Sequence, residues 1–405
     1  MGAPGSGQRG QYRRMTIRGG APAQPRFCRT NRVASWNVSE AVARLRGICT
    51  RSRQPHKSIE TRPSDRLLRA AERPSGLPEP ITVSYSAITM DFDASRPPWF
   101  GRLRLPAIAA PMTNVSGPEL VIAASNHGVI GSFPTHNAAS TAELEQWLAQ
   151  MSAQLPPGAA PVAPNLVVHR SNRRRDDDLE CLIKHRVELV ITSVGSPRPV
   201  VGPLHDIGCQ VFADVSSLAH VERALEAGVD GLVLLTAGAG GQTGWANPFA
   251  FVRAVRARYA GPVVLAGGIS DGESMLAAQA LGADLVYLGT RFIATYESLA
   301  DNDYRDALVS STLDDVELST RVGGIPASLL RCWLEFHSAD ETDGSSSGFE
   351  QERLIRNRTA WSAGHSVSGV DAVTSVATAV QRLADQYTDA RDRLRDGLLR
   401  ANLPL

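Results

Sequence analysis

Residues 262–289 read PVVLAGGISDGESMLAAQALGADLVYLG, and the order of their chemistry decides the fold. The apolar run Pro262–Ala266 ends on the glycine pair Gly267-Gly268. An Asp-Gly step at Asp271-Gly272 opens a helical pattern over Gly272–Leu281, and a Gly-Ala-Asp turn leads into a second apolar run, Leu285–Gly289. A continuous apolar strand is one buried on both faces. Two of them joined through a helix must lie parallel, so the stretch is a βαβ unit.

The same rhythm extends toward the N-terminus. Candidate strands fall at Pro106–Ala110, Val129–Phe133, Val162–Val168, Leu189–Val194, Gln210–Val215 and Gly231–Ala237. Helical patterns lie between them at Thr141–Ala153, Asp177–His185, Leu218–Ala227 and Pro248–Tyr259. Eight strand-then-helix units predict an α/β protein of the closed (β/α)8 TIM-barrel type over residues 100–296, with an open doubly wound sheet as the alternative. Beyond Arg291 the rhythm stops. Residues 297–335 read as helices around a Gly323-Gly324-Ile325-Pro326 turn, Asp340–Gly348 is a polar loop, and Val370–Leu399 is a long amphipathic helix. Residues 297–405 are thus expected to form a helical appendage on the barrel.

The 405 residues are 43% apolar and 20% charged, an ordinary globular composition, but the net charge of +1 conceals two materials. Residues 1–80 hold 16 Lys and Arg against five acids, leaving 26 basic and 36 acidic residues for the rest. A basic stretch rich in Gly, Pro, Ser and Gln buries too little surface to offset chain entropy, so residues 1–85 are expected to be a disordered Arg-rich leader. It reads as an extension without function of its own, with Met90 as an alternative start, ahead of a transit peptide, a nucleic-acid arm or a myristoylation signal. Five scattered cysteines without a C-x-x-C pair exclude a disulfide scaffold or zinc ribbon and fit a reducing, cytoplasmic setting. No apolar run is long enough to span a membrane. The expected partners are therefore a small-molecule substrate and its co-substrate, with neither nucleic acid nor membrane.

In a barrel the chemistry sits where strands end at their C-termini. Gly267 and Gly268 after the seventh candidate strand, and Gly289 and Thr290 after the eighth, are placed to hold a phosphate on bare backbone N–H groups, with the Thr290 hydroxyl as a further donor. After the sixth stands Thr236–Gly244, TAGAGGQTG, whose glycines offer a flat surface to a flat ligand. It is neither a Walker loop nor a G-x-G-x-x-G turn. Gln242 within it can hydrogen-bond a ligand but cannot serve as a base. After the first strand, Pro111 fixes the backbone beside Ala110, and the soft Met112 can lie against an aromatic ring. Asn165, an amide inside an apolar run, needs a polar partner. His169 and His136 follow the third and second strands at the same end and are candidates to touch substrate. His127, His185, His205 and His220 fall remote from it. No His, Asp or Glu cluster has metal spacing, so no metal is expected.

Together these residues resemble the nitronate monooxygenase family, FMN-dependent TIM-barrel flavoenzymes. The resemblance runs from Leu105 to Leu399. It rests on PAIAAPM (106–112), PNLVVHRSN (164–172), TAGAGGQTG (236–244), LAGGISDG (265–272), LGADLVYLGTRFIATYES (281–298) and WSAGHSVSGVD (361–371). FMN-dependent enoyl-ACP reductases share most of this set. The resemblance implies an FMN phosphate held by Gly267, Gly268, Gly289 and Thr290, and a flavin ring near Ala110, Pro111, Met112, Asn165 and Gly241. It implies oxidation of alkyl nitronates with O2 to a carbonyl compound and nitrite. An NAD(P)H-dependent enoyl reductase or a non-catalytic flavin-binding subunit are the alternatives. The family usually carries a catalytic His where this chain has Gln242, which predicts activity on nitronates and little on neutral nitroalkanes. His365 stands where the family's closing segment usually has Gln; it reads as a surface histidine in a loop, with an exchange of places between it and Gln242 as the alternative.

Overall fold

The structure is a computed structural model in which residues 97–337 and 348–400 are described, with side chains to 397. The leader expected over 1–85, the alternative start at Met90 and all but the last residue of the polar loop lie outside the described residues.

Strands β1 (Ala107–Ala109), β2 (Ile130–Pro134), β3 (Val162–Val167), β4 (Leu189–Ser193), β5 (Gln210–Val215) and β6 (Gly231–Leu235) run in parallel order. A two-residue strand, β7 (Gly241–Gln242), stands apart from them. β8 (Val263–Ala266) and β9 (Leu285–Leu288) complete a closed barrel. Closure is direct, since β9 pairs with β1 through Val286–Ala107, Tyr287–Ile108 and Leu288–Ala109. That excludes the open-sheet alternative. Helices α1 (Pro118–Asn126), α2 (Thr141–Gln154), α3 (Arg175–Lys184), α4 (Arg198–His205), α5 (Leu218–Glu226), α6 (Pro248–Arg256) and α7 (Gly272–Leu281) follow the first seven barrel strands in turn. The sequence reading had no counterpart for α1 and α4. Both are short, and α4 carries Pro203 in its interior, which erases the usual helical signal.

Two cores result. The outer one lies between barrel and helices. The inner one fills the barrel with Ile108, Ile130, Ile191, Phe212, Val233, Val264 and Leu285, and Trp99 closes its lower end. The Trp99 indole N–H donates to Gln210 Oε1 at 2.8 Å, and its ring lies 6.2 Å from that of Phe212. Phe212 in turn explains Gly231, where a Cβ would run into the Phe212 ring. A repeated device secures the lower rim. Asp230, just before β6, accepts the Val211 N–H of β5 and the ring N–H of His205, each at 2.8 Å. Asp284, just before β9, accepts the Val263 N–H of β8 at 2.8 Å and pairs with Arg256. The Gly-x-Asp turn thus recurs because each Asp satisfies an orphan donor at the start of the preceding strand.

Past the barrel come α8 (Thr290–Ile293), α9 (Asn302–Ser310), β10 (Val316–Ser319), β11 (Ala327–Leu330), α10 (Arg331–Phe336), α11 (Gln351–Arg356) and α12 (Val376–Arg400). The expectation that residues 297–335 are helical needs correction at β10 and β11. These form an antiparallel pair, Val316–Leu330 to Ser319–Ala327, and β11 also pairs with β7 through Ala327–Gln242 and Ser328–Gly241. The loop after β6 offers β11 a strand edge, and that distant pairing overrides local preference. The last helix starts at Val376 rather than Val370, because His365–Gly369 make a 3-10 turn and Thr374 bridges to Thr295. Helix α12 lies against α7 so closely that a Cβ on Gly272 would collide with the backbone of Gln386 and Tyr387. Gly272, the last residue of LAGGISDG, is therefore there for helix packing.

Candidate active site

The upper end of the barrel opens into a cleft. The loop after β1 forms one wall. Asn114 holds a left-handed conformation (φ 58°), which Asn tolerates. Its N–H donates to Asn137 Oδ1 at 2.9 Å, while Asn137 Nδ2 donates to the carbonyls of Met112 (2.8 Å) and Ser116 (2.9 Å). Ser116 accepts the Met112 N–H and donates to the Ala110 carbonyl. Ala110, Pro111 and Met112 are thus held in place and line the cleft.

On the next strands, Asn165 of β3 and Ser193 of β4 both line the cleft, and the Ser193 hydroxyl donates to Asn165 Oδ1 at 2.9 Å. The buried amide has the polar partner its residue type requires, and its Nδ2 makes no hydrogen bond among the described residues. His136, which follows β2, also lines the cleft. Burial, and then the charge of Arg174, depress its pKa to about 4, so the ring is neutral at pH 7.

The loop after β8 carries positive φ at both Gly267 (126°) and Gly268 (71°). A Cβ on Gly267 would strike Thr236 Oγ1, whose hydroxyl donates to the Ala266 carbonyl at 2.6 Å. A Cβ on Gly268 would meet nothing within 4 Å. Gly267 therefore serves the turn, and Gly268 leaves room in the cleft. A reciprocal cap of Asp271 and Ser274 starts α7 directly after this turn. At Gly289 a Cβ would sit 3.6 Å from Met112 Sδ and 3.8 Å from Ala110 Cβ, so that glycine too keeps the cleft open. The N–H groups of Gly268 and Thr290 make no backbone hydrogen bond among the described residues. The Thr290 hydroxyl accepts the Gly364 N–H at 3.0 Å and keeps its own proton free to donate.

The glycine-rich loop after β6 is only partly the bare surface expected of it. Gly240 lies against Gly364, with no space for a Cβ on either, and the His365 N–H donates to the Gly238 carbonyl at 2.9 Å. These glycines let the closing segment 361–366 press backbone against backbone. Gly241 alone among them has open space beside it, with Ser362 atoms 3.9 and 4.0 Å away. Gln242 lines the cleft, its backbone held in β7.

Two expected site residues fall elsewhere. His169 does not line the cleft. Its Nδ1 lies 2.7 Å from Ser171 Oγ, its ring meets the edge of Phe349 at 5.5 Å, and Ser171 also accepts the Gln351 N–H. The chain turns away after Val168, and His169 fastens the segment before α11 to the barrel. His365 does not line the cleft either. Its ring is exposed and packs on Gly238, so the exchange of places with Gln242 is not realised in this structure.

Residues the sequence reading passed over also line the cleft. Asp214 and Tyr287 form its floor, while Val322, Ile325, Leu354 and Arg358 from the C-terminal region form its far wall. Asp214 was detectable as an acid inside the apolar run Gln210–Val215, two residues after the inward Phe212 and hence on the same face. The far-wall residues carry no local signal.

The family model described as nitronate monooxygenase matches residues 161–345. A (3aS,4S,5R,7aS)-5-hydroxy-7a-methyl-1-oxo-octahydro-1H-indene-4-carboxyl-CoA dehydrogenase of Mycobacterium tuberculosis is 26% identical over 232 residues, covering 56% of this chain. The match spans 64% of that relative's length. A nitronate monooxygenase of Paraburkholderia phytofirmans is 28% identical over 261 residues, covering 54% of this chain and 71% of its own. Among solved structures, FabK from Thermotoga maritima superposes with a TM-score of 0.64 at 23% identity, over 73% of this chain and 97% of its own, a likeness of fold.

Proposed function

We propose that the chain is a nitronate monooxygenase-like enzyme, a reading supported by the family model over residues 161–345 and by relatives at 28% identity, and from that premise that it is an FMN-dependent oxidoreductase acting on alkyl nitronates. The observation that carries this reading is the cradle at the ends of β8 and β9. Gly268 leaves open space where a side chain would stand, a Cβ on Gly289 would reach Met112 Sδ and Ala110 Cβ at contact distance, and among the described residues the N–H groups of Gly268 and Thr290 have no backbone partner. A phosphate suits such a cradle, and the residues fit FMN. Gly267, Gly268, Gly289 and Thr290 would hold the phosphate, with Ala110, Pro111, Met112, Asn165 and Gly241 around the ring. Bound there, FMN would supply the redox chemistry that the side chains lack, with O2 as co-substrate and a carbonyl compound and nitrite as products.

The protein's own part is to bind and orient. Gln242 presents an amide to the cleft, which donates and accepts hydrogen bonds but takes no proton from carbon. His136, with its pKa near 4, is a poor base at pH 7. A nitronate is already deprotonated at its α-carbon and needs neither. Apolar Val322, Ile325 and Leu354 line the far wall and limit water, while exposed Arg358 puts a cation on the approach of an anionic substrate.

The test is anaerobic absorbance of the FMN-loaded protein, mixed with propyl-2-nitronate and, separately, with NADPH. Bleaching of the flavin band by nitronate alone is the expected result. Bleaching by NADPH alone would assign the enoyl-reductase activity instead. A flavin band that neither donor bleaches would assign a binding subunit, and no uptake of FMN would overturn the phosphate cradle itself.

A further inference from the structure

Inside the barrel the side chains form layers. The lower layer is apolar, with Ile130, Ala163, Ile191, Phe212 and Leu285. Two residues further along the same strands, and therefore on the same inward face, stand Ser132, Asn165, Ser193, Asp214 and Tyr287. Asn165 and Ser193 satisfy each other. The other three are not satisfied in the same way: among the described residues Ser132 Oγ, Asp214 Oδ1 and Tyr287 Oη are buried without a hydrogen bond of good geometry, and the Ser132 and Tyr287 hydroxyls, which face each other, are the only partners on hand. An unsatisfied buried polar group costs about 1–3 kcal/mol. Three in one layer of an otherwise apolar barrel are a poor arrangement for stability and a good one for a ligand. Asp214 and Tyr287 both line the cleft, and Ser132 lies beside Tyr287.

We propose that Asp214, Tyr287 and Ser132 form a hydrogen-bonding socket in the barrel floor that grips a heteroaromatic ring edge of the cofactor, one carrying both donors and acceptors. The inference rests on the flavin reading above and adds to it the residues at one edge of the ring. Asp214 comes from β5 and Tyr287 from β9, the strand that also delivers Gly289 and Thr290. A molecule with its phosphate at Gly289 and its ring toward Asn165 reaches this layer, so that one edge of the ring can turn down onto the floor while a face stays open to substrate entering from the mouth.

The chemistry of the socket supports a ring edge over a metal or an anion. Burial raises the Asp214 carboxyl to about 8, and among the described residues no cation stands against it to reverse the effect. The flanking strands bring Ser193 from β4 and Leu235 from β6. Across the barrel is Tyr287, whose phenol is pushed well up by burial and then by Asp214. His136 of the cleft wall is neutral, and Arg358 is exposed at the mouth. At pH 7 the floor therefore holds a neutral carboxylic acid and two hydroxyls, each able to donate and to accept, as a buried neutral acid does elsewhere when it must donate a hydrogen bond.

The test is the FMN dissociation constant, read by flavin fluorescence, for the full chain and for Asp214→Asn and Asp214→Leu, at pH 7 and pH 9. Asp214→Asn keeps a donor and an acceptor and should bind FMN within about threefold of the parent at pH 7, whereas Asp214→Leu should bind at least tenfold more weakly. Raising the pH to 9 ionises Asp214 and removes its donor, so the parent should lose up to about tenfold in affinity, while Asp214→Asn should stay flat. Should Asp214→Leu fail to fold, the pH comparison between parent and Asp214→Asn decides. FMN affinity that is equal in Asp214→Leu and parent would overturn the socket. So would a pH dependence that persists in Asp214→Asn, or a change confined to nitronate binding. A parent chain that takes up no FMN would overturn the flavin reading itself, a separate failure visible before any variant is compared.

Discussion

The Nε2 of His136 lies 3.1 Å from the hydroxyl of Thr113, joining the end of β2 to the loop after β1. Burial, with Arg174 adding to it, holds the imidazole pKa near 4 against an ordinary 6.5. The native state therefore binds fewer protons than the unfolded chain between those values. Stability from this source is fully present above pH 6.5 and is lost as the pH falls toward 4, by up to about 3 kcal/mol. Urea unfolding at pH 7 and pH 4.5 should show that loss in the parent and a smaller one in His136→Gln. Equal losses in both would mean that the ring is solvated in the native state.

The paired glycines after β8 should separate by role. Gly267→Ala drives a Cβ into Thr236 Oγ1 at φ 126° and should destabilise the fold by about 2 kcal/mol or more, through overpacking and backbone strain. Gly268→Ala meets open space at φ 71° and should cost only about 1–2 kcal/mol of left-handed strain. Its methyl group would occupy the phosphate cradle, so FMN affinity should fall at least tenfold in a protein that still folds. Thermal melts paired with FMN titration make the comparison. A Gly268→Ala chain that binds FMN as tightly as the parent would place the phosphate elsewhere.

Much of this architecture was legible because a strand buried on both faces reads as a predominantly apolar run, and the barrel strands do, apart from inward polar residues such as Asn165 and Asp214. The position of the glycine pairs was legible for the same reason, since it follows from strand order. What a glycine is for was not. Gly240, Gly272 and Gly268 look alike in sequence, yet the first admits the Gly364 backbone, the second admits α12, and the third leaves open space. Strand β11 was hidden because it joins the short strand β10, only eight to fourteen residues upstream, in a sheet whose other edge, β7, lies some 85 residues away and is two residues long. His169 was misplaced by assuming that the chain keeps its course past Val168, whereas its ring turns toward Phe349.

Arg358 lines the mouth of the cleft, is exposed, and makes no ion pair among the described residues. A single exposed cation gives weak, salt-sensitive attraction. Arg358→Ala should raise KM for an anionic nitronate about two- to fivefold at low ionic strength, with kcat unchanged, and the difference should shrink in 0.5 M salt. Steady-state oxygen consumption at two ionic strengths measures it. A fall in kcat with KM constant would instead place Arg358 against the reacting atoms.

Gln242 is held by its own backbone, which pairs with Ala327 in β11, so its side chain projects into the cleft from a fixed strand. Replacing the amide with imidazole there changes its chemistry with little change in local scaffold. A neutral nitroalkane must lose an α-proton before it can react as a nitronate does, and an amide cannot take it at any accessible pH. Gln242→His supplies a group with an ordinary pKa near pH 7, and a positioned general base contributes about 10²–10⁴-fold. The parent should therefore turn over propyl-2-nitronate and leave nitroethane nearly untouched. Gln242→His should gain nitroethane activity at least tenfold, rising with pH through the imidazole pKa, while its nitronate rate stays within a few-fold of the parent. Nitrite release from each substrate between pH 6 and pH 9 reads both rates. Strong nitroethane turnover by the parent, unchanged in Gln242→His, would show that another group takes the proton, and His136 would be the residue to replace next.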